Sequence, residues 1–377
     1  MNKILSIVIP SYNMQDYLPA CLDSLVVDDP ALFAALDIIV VNDGSKDRTS
    51  AIAHEYVAQH PDVIRALDKP NGNYGSCVNR GLAEARGVFI KVLDADDTFD
   101  TAAFSSFIRC LIESEEKNEQ VDLFLTDYVR VGARGETRQY MSVKGLPAAQ
   151  VLDSEALSHV SPVLMHAYAY RTEILRTMGY RQLEGFSYTD AEWSCYPILA
   201  VKKLCYLPLP VYRYLVERPG QTMDPEPFHT RWFPVRAHVA LELAKHCEQA
   251  NVLDRPGAKA YFRRWALETA KGIYRSALLQ FPTRANVECL KDFDGRLRQV
   301  APSIHAELLA SSIVNRPSQS YGRVYGWLRE GKNGCLRLLR AYYTARAPIF
   351  RILSKIKHAL VKPKQSEEMH SSELRTK

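Results

Sequence analysis

The chain has 377 residues, 47% hydrophobic and 24% charged, which is enough to bury a substantial core in two domains or in one large domain with an appendage. A net charge of +5 is too small to mark a nucleic-acid binder, and no stretch approaches the roughly 20 apolar residues of a membrane span. Eight cysteines without a CxxC pair read as reduced thiols, and the short apolar run of MNKILSIVIPSYN, stopped by Pro10, does not make a secretion signal, so a cytoplasmic location is expected.

Short apolar runs alternate with helical patterns through the first hundred residues. ILSIVIP (4–10) precedes a helix with Leu18, Leu22, Leu25 and Val26 on one face. DIIVVN (37–42) precedes TSAIAHEYVAQH, VIRAL (63–67) precedes GSCVNRGLAEA, and VFIKVL (88–93) is the fourth run. Strands apolar throughout, separated by amphipathic helices, predict a parallel sheet covered on both faces and, with right-handed crossovers, a doubly wound α/β layer. In such a sheet the ligand crevice lies outside the carboxyl ends of the strands. The polar clusters Ser11–Asn13, Asp43–Ser45, Asn71–Gly75 and Asp94–Asp97 are therefore expected on one edge.

The fourth run ends in Asp94, Asp96 and Asp97, with Asp100 following. One carboxylate suffices to cap the helix expected from Thr101, with Asp97 or Thr98 as the cap. Three close together require solvation or a cation, and carboxylates at i and i+2 in a loop suit Mg²⁺ or Mn²⁺ bound together with a substrate's phosphates. There is no GxxxxGK[ST] motif, nor a GxGxxG after the first strand, to hold a polyphosphate on backbone N–H groups, which points to a nucleotide diphosphate neutralised by metal. Within KPNGNYGSCVNRG (69–81), Lys69 and Arg80 are cationic candidates for phosphate, and the glycines allow a close approach of the chain by a ligand.

Another helix is expected at 101–117 and a strand at 120–131. A helix–strand–helix segment broken at Pro162 follows, then a strand-rich stretch interrupted by Pro208 and Pro210, with a boundary near 225–230 at MDPEPF. From about 230 the pattern is helical. Residues 331–365 hold nine Lys or Arg and no Asp or Glu, and APIFRILSKIKHALVK forms a basic amphipathic pattern suited to an anionic membrane surface or to a partner such as a second copy of the chain. Residues 366–377 read as disordered.

SIVIPSYNMQDYLPACLDSL, IIVVNDGSKDRT, NGNYGSCVNRGLAEARGVFIKVLDADD and FSYTDAEW resemble the successive motifs of the family 2 glycosyltransferases, over roughly residues 4–215. The resemblance implies an α/β GT-A fold for residues 1–225, followed by a helical C-terminal region at 226–330. It further implies a nucleotide-sugar donor, by family frequency a UDP-sugar, a divalent metal (Mn²⁺ or Mg²⁺) and a single inverting displacement onto a saccharide or lipid-linked acceptor. Position by position, Pro10, Tyr12 and Asp43 would line the nucleoside pocket. The loop with Asn73 and Gly75 would lie near the base. Asp94, Ala95 and Asp96 would face the ribose, diphosphate and metal, with Asp96 the first metal ligand and Asp94 and Asp97 sharing that role. The family's Glu-Asp pair is Thr189-Asp190 here, which makes Asp190 the expected base and leaves Glu192 as the alternative. Bacterial surface-polysaccharide synthesis on the cytoplasmic face of the membrane is the implied setting. A nucleotidyltransferase would carry Gly and Arg directly after the first strand, where IPSYNMQDY has neither. A non-catalytic sugar-nucleotide binder would not need Asp43, Asp94, Asp96 and Asp190 together.

Overall fold

The computed structural model describes residues 3–216, 225–250, 255–313 and 319–344. Met223 and Asp224 of the MDPEPF boundary, the amphipathic stretch from 347 and the C-terminal twelve residues lie outside them.

Four strands, β1 (Leu5–Ser11), β2 (Leu36–Asn42), β3 (Ile64–Asp68) and β4 (Phe89–Val92), pair in parallel in the order β3-β2-β1-β4. Every residue of β1, β2 and β4 is buried, the consequence of helices on both faces. Between them run α1 (Leu18–Asp23), α2 (Pro30–Ala34), α3 (Thr49–Gln59) and α4 (Asn73–Glu84). Gly81 of α4 sits on Val8 of β1, and a Cβ there would overlap the valine side chain, so helix and strand lie closer than any other residue permits. The buried Asp37 accepts hydrogen bonds from Ser6 (2.6 Å), from the Arg86 N–H (2.9 Å) and from Arg65 (2.9 and 3.0 Å), which satisfies its charge at the amino end of the sheet.

The sheet continues through the short β5 (Thr98–Phe99), β6 (Leu123–Val131), β7 (Thr137–Met141), β8 (Val151–Asp153), β9 (Tyr168–Arg171) and β10 (Lys203–Leu215) in the overall order β3-β2-β1-β4-β9-β6-β10-β5. Because β9 is antiparallel to both β4 and β6, and β6 is parallel to β10, the strands β3, β2, β1, β4, β6 and β10 all point one way. Pro208 and Pro210 do not interrupt β10. The pairing with β6 shifts register between Leu207 and Pro210 and again before Tyr212, so the imino nitrogens fall where the ladder is already broken.

Helix α5 (Thr101–Glu116) begins where expected, but its cap is Asp100, which accepts from the Ala103 N–H at 3.0 Å. Neither Asp97 nor Thr98 is needed for capping. Helix α6 (Thr172–Thr177) follows β9, and α7 (Asp190–Cys195) precedes β10. The C-terminal part is helical: α8 (Pro225–His229), α9 (Phe233–Gln249), α10 (Pro256–Arg275), α11 (Arg284–Val300), α12 (Pro302–Ala310) and α13 (Tyr321–Arg329), with residues 333–344 also helical.

Two apolar cores result. One surrounds the sheet, and the other joins α9 to α13 with Cys195 and Leu199. Helix α10 belongs to both, with Ala258 and Tyr261 in the first core and Phe262, Ala266 and Ala270 in the second, so the helical part is packed onto the sheet layer. No helix among the described residues is long and apolar enough to cross a membrane. All eight cysteines are free.

Candidate active site

The carboxyl edge of the parallel strands is laced together as the alternating pattern predicts. Asn13 donates its N–H to Ser45 (3.0 Å) and accepts from the Lys46 N–H (2.8 Å), while the Met14 N–H reaches Thr49 (2.7 Å) and the Gln15 N–H reaches Asp47 (3.1 Å). The polar residues after β2 therefore hold the loop after β1. Asn13 itself takes φ +53°, a left-handed conformation that asparagine tolerates.

Asp43 is buried at 3% exposure. It forms an ion pair with Lys69 and accepts from the Gly72 N–H at 2.9 Å, while the Asn71 side chain donates to its carbonyl at 3.0 Å. Lys69 also donates to Ser76 and to the Pro70 carbonyl, each at 2.8 Å. One carboxylate thus organises the loop between β3 and α4. Tyr12 is exposed (45%), and Arg80 is a surface residue paired with Glu84 one turn on, so neither touches the acidic cluster. Asn73 opens α4 at φ +65°. At Gly75 the close approach is made by the chain itself, since a Cβ there would overlap the Leu183 carbonyl oxygen. Gly75→Ala is expected to push the 182–185 loop off α4 and to cost about 1–3 kcal/mol, the usual penalty for overpacking. A lowered urea midpoint at unchanged slope checks this.

The acidic turn is held from below by β10. Tyr212 donates to Asp97 at 2.6 Å, its oxygen accepts from the Asp94 N–H at 3.1 Å, and the Leu215 N–H donates to the other Asp97 oxygen at 2.7 Å. Burial, with Asp96 and Asp94 close by, pushes the Asp97 carboxyl well above its ordinary range. Asp94 accepts from Tyr74 at 2.9 Å. Oxygens of Asp94, Asp96 and Asp97 lie within 4.8 Å of one another. Hard oxygen donors at that spacing fit Mg²⁺ or Mn²⁺. Of the three, Asp97 is tied to β10 through both oxygens, while Asp94 and Asp96 line a cavity.

Asp94, Ala95 and Asp96 open onto a cavity of about 280 Å³ that is also lined by Pro10, Met14, Tyr74, Arg130, Leu164, Met165, His166, Tyr188, Asp190 and Tyr214. Of the residues singled out in the sequence, Pro10, Asp94, Ala95, Asp96 and Asp190 meet here, while Tyr12, Asp43, Asn73, Gly75 and Arg80 do not line it. Asp190 is the first residue of α7, and burial raises its carboxyl above the ordinary value, partly offset by its own and the Ala191 backbone N–H at the helix start. Thr189, at the start of this helix, makes no capping bond; its hydroxyl accepts from Gln182 at 3.0 Å. Glu192, the alternative base, is 4% exposed and accepts from the Leu183 N–H at 2.7 Å. Burial lifts its carboxyl to about 7, but it does not line the cavity.

Sequence reading passed over Tyr74, Arg130, Tyr188, Tyr212 and Tyr214. Tyr212 and Tyr214 alternate on one face of β10 and lie against His166 at 4.4 and 4.5 Å between ring centres. Desolvation lowers His166 to about 3, so it sits neutral among these rings. Beneath it the fully buried Lys91 donates to the His166 carbonyl (2.6 Å) and the Tyr168 carbonyl (3.2 Å), and burial brings its amine down to about 7. The YRY alternation was the one signal in the sequence that could have marked this wall. A larger cavity of about 640 Å³, lined by Glu173, Tyr196, Lys202, His246 and Arg255 among others, is reached by none of the expected site residues.

Residues 6–150 match the family model described as Glycosyl transferase family 2. Among curated relatives, Uncharacterized glycosyltransferase EpsJ of Bacillus subtilis is 31% identical over 175 residues, 45% of this chain and 47% of EpsJ. Minor teichoic acid biosynthesis protein GgaB of the same organism is 30% identical over 158 residues, 42% of this chain and 17% of GgaB. The Mycoplasma pneumoniae homolog of uncharacterized glycosyltransferase MG025 is 42% identical over 103 residues, 27% of this chain and 34% of that protein. The chain thus spans half or less of the length of these relatives. The crystal structure of S. aureus TarS 1–349 in complex with UDP-GlcNAc superposes with a TM-score of 0.59 at 18% identity, covering 87% of this chain and 92% of that one. That likeness establishes the fold as GT-A with a helical C-terminal region, and residues 6–150 are similar to glycosyltransferase family 2.

Proposed function

We propose that this chain is an inverting glycosyltransferase that moves a sugar from a nucleotide-diphosphate sugar to a hydroxyl of a saccharide or lipid-linked acceptor. The observation that carries the reading is the shared cavity, which brings the paired carboxylates Asp94 and Asp96 together with a separate carboxylate, Asp190, at a helix start. A UDP-sugar is the preferred donor, supported by the TarS structures with UDP-GlcNAc and with UDP. Cell-surface polysaccharide is the preferred product class, supported by the likeness to GgaB.

Asp190 accepts the proton of the acceptor hydroxyl, whose oxygen attacks the anomeric carbon from the side opposite the nucleotide. The bond from that carbon to the diphosphate oxygen breaks, the electron pair leaves with the nucleoside diphosphate, and the configuration inverts. The raised affinity of Asp190 for a proton suits a base, because its driving force grows as its pKa nears the working pH. Asp96 and Asp94 would hold Mn²⁺ or Mg²⁺, which when bound supplies positive charge to the leaving diphosphate. Asp97, with its two hydrogen bonds to β10, orients the turn. Asp43 and the loop it organises, with Tyr12 and Pro10, form the nucleoside side.

We assign residues 1–225 to catalysis and 226–330 to a helical region on the acceptor side, a division that the two apolar cores support. The basic residues 331–365 are assigned to an anionic membrane surface on the cytoplasmic face. A panel of nucleotide sugars scored by thermal shift with and without Mn²⁺ tests the reading. At least one UDP-sugar is expected to raise the melting temperature in a metal-dependent way, and no response across the panel overturns the enzymatic assignment.

A further inference from the structure

Resting on the reading of Asp190 as the base, we propose that Gln182 is its positioning residue, tying the backbone just before Asp190 to helix α4 on the donor side of the cavity. Gln182 is 1% exposed, and its side-chain amide donates to the Thr189 carbonyl at 2.9 Å and to the Thr189 hydroxyl at 3.0 Å. A carbonyl oxygen only accepts, so the amide nitrogen is the end turned toward Thr189, and the amide oxygen accepts from the Tyr180 hydroxyl at 3.2 Å. The main chain of Gln182 is clamped to α4 through one side chain: its N–H donates to Asn79 and its carbonyl accepts from Asn79, each at 2.8 Å. Gln182 thus holds α4 with its backbone and the residue before Asp190 with its side chain.

The link continues to the loop that Asp43 organises. The Gly185 N–H donates to the Gly72 carbonyl at 3.0 Å, while the Gly72 N–H donates to Asp43. An inverting displacement needs the base, the attacking oxygen, the anomeric carbon and the leaving oxygen in one alignment, so the base has to be registered against the donor. Asp190 stands at the end of a loop that turns through left-handed backbone at Gly185 (φ +82°) and Tyr188 (φ +63°), and it opens a helix of only six residues. Such a short helix does not fix its own first residue, because one and a half turns make few internal bonds. The bond from Gln182 to Thr189 closes the loop over seven positions and sets its end against α4. Gln182 itself does not line the cavity, so it acts through Asp190 and not on the substrate.

Release of UDP from UDP-glucose, UDP-galactose, UDP-N-acetylglucosamine and UDP-glucuronate by the full chain with Mn²⁺, with water as acceptor, tests this beside calorimetric binding of UDP. Gln182→Met keeps the length of the side chain without its hydrogen bonds. It is expected to slow turnover by about 10- to 100-fold while the UDP dissociation constant stays within about twofold of wild type. In an Asp190→Asn background the same substitution is expected to change turnover by less than about threefold, because its effect passes through the carboxylate. A merely structural role would weaken UDP binding as well, or add its full loss in that background. Either result overturns the proposal, as does wild-type turnover in Gln182→Met. Should Gln182→Met melt below the assay temperature, Asn79→Ala cuts the same link from α4 and is read by the same criteria. Wild-type turnover in Asp190→Asn overturns the reading of the base, and the positioning role falls with it. UDP release by wild type from none of the four nucleotide sugars overturns the UDP-sugar reading and the proposal together.

Discussion

Asp96→Ala is expected to lower sugar transfer by about 10³-fold or more and to remove metal-dependent binding of UDP in calorimetry. The magnitude follows from the several kcal/mol that a cation contributes to a leaving diphosphate, at about 1.4 kcal/mol per tenfold in rate. The position follows from the cluster. Asp97 has both oxygens engaged by Tyr212 and Leu215 and a carboxyl that favours its proton, so it does not replace a lost ligand. Asp94 accepts from Tyr74 and is expected to retain only weak metal binding alone. Asp97→Asn is the informative comparison. It keeps the shape of the turn but alters its bonds to β10, and a loss as deep as that of Asp96→Ala would move the metal site onto Asp97.

The sheet and its ligand edge were legible because a parallel strand buried on both faces has to be apolar, and the polar residues that end it have to sit at the rim. That logic located Asp43, Asp94 and Asp96. It could not separate Asp97 from its neighbours, because the distinction is made by Tyr212 and Leu215, more than a hundred positions away and invisible to local pattern. Arg130, Tyr74 and Tyr188 were hidden for a related reason, because what packs beside them is set by the fold and not by local pattern. The strand at 168–171 was readable as a strand, but its antiparallel direction depends on its neighbours β4 and β6. Two prolines that ordinarily end a strand were tolerated because β10 changes register where they fall. Asp190 stood out mainly through the resemblance of FSYTDAEW, since a helix start with acidic residues is common on electrostatic grounds alone.

Asp190→Asn separates the base from every other role of that residue. The variant keeps volume and most hydrogen bonding but cannot accept the proton, so transfer is expected to fall by about 10²–10⁴-fold while the donor dissociation constant stays within about twofold of wild type. Its effect on stability has the opposite sign. A carboxyl whose folded pKa is raised above its unfolded value binds its proton more tightly in the native state, so its contribution to stability is lost as pH rises from the unfolded value through the folded one. At neutral pH the buried carboxylate is a cost, and removing its charge should leave the melting temperature unchanged or higher. Wild-type transfer is expected to fall on acidification through the raised pKa of Asp190, as its base form disappears, and the residual activity of the variant should lack that limb. Glu192→Gln supplies the contrast, because Glu192 is bound to the Leu183 N–H and does not line the cavity, so an unchanged Asp190→Asn beside an inactive Glu192→Gln would transfer the base to Glu192. A less active yet no less stable Asp190→Asn is the pattern of a charge kept in the fold for chemistry.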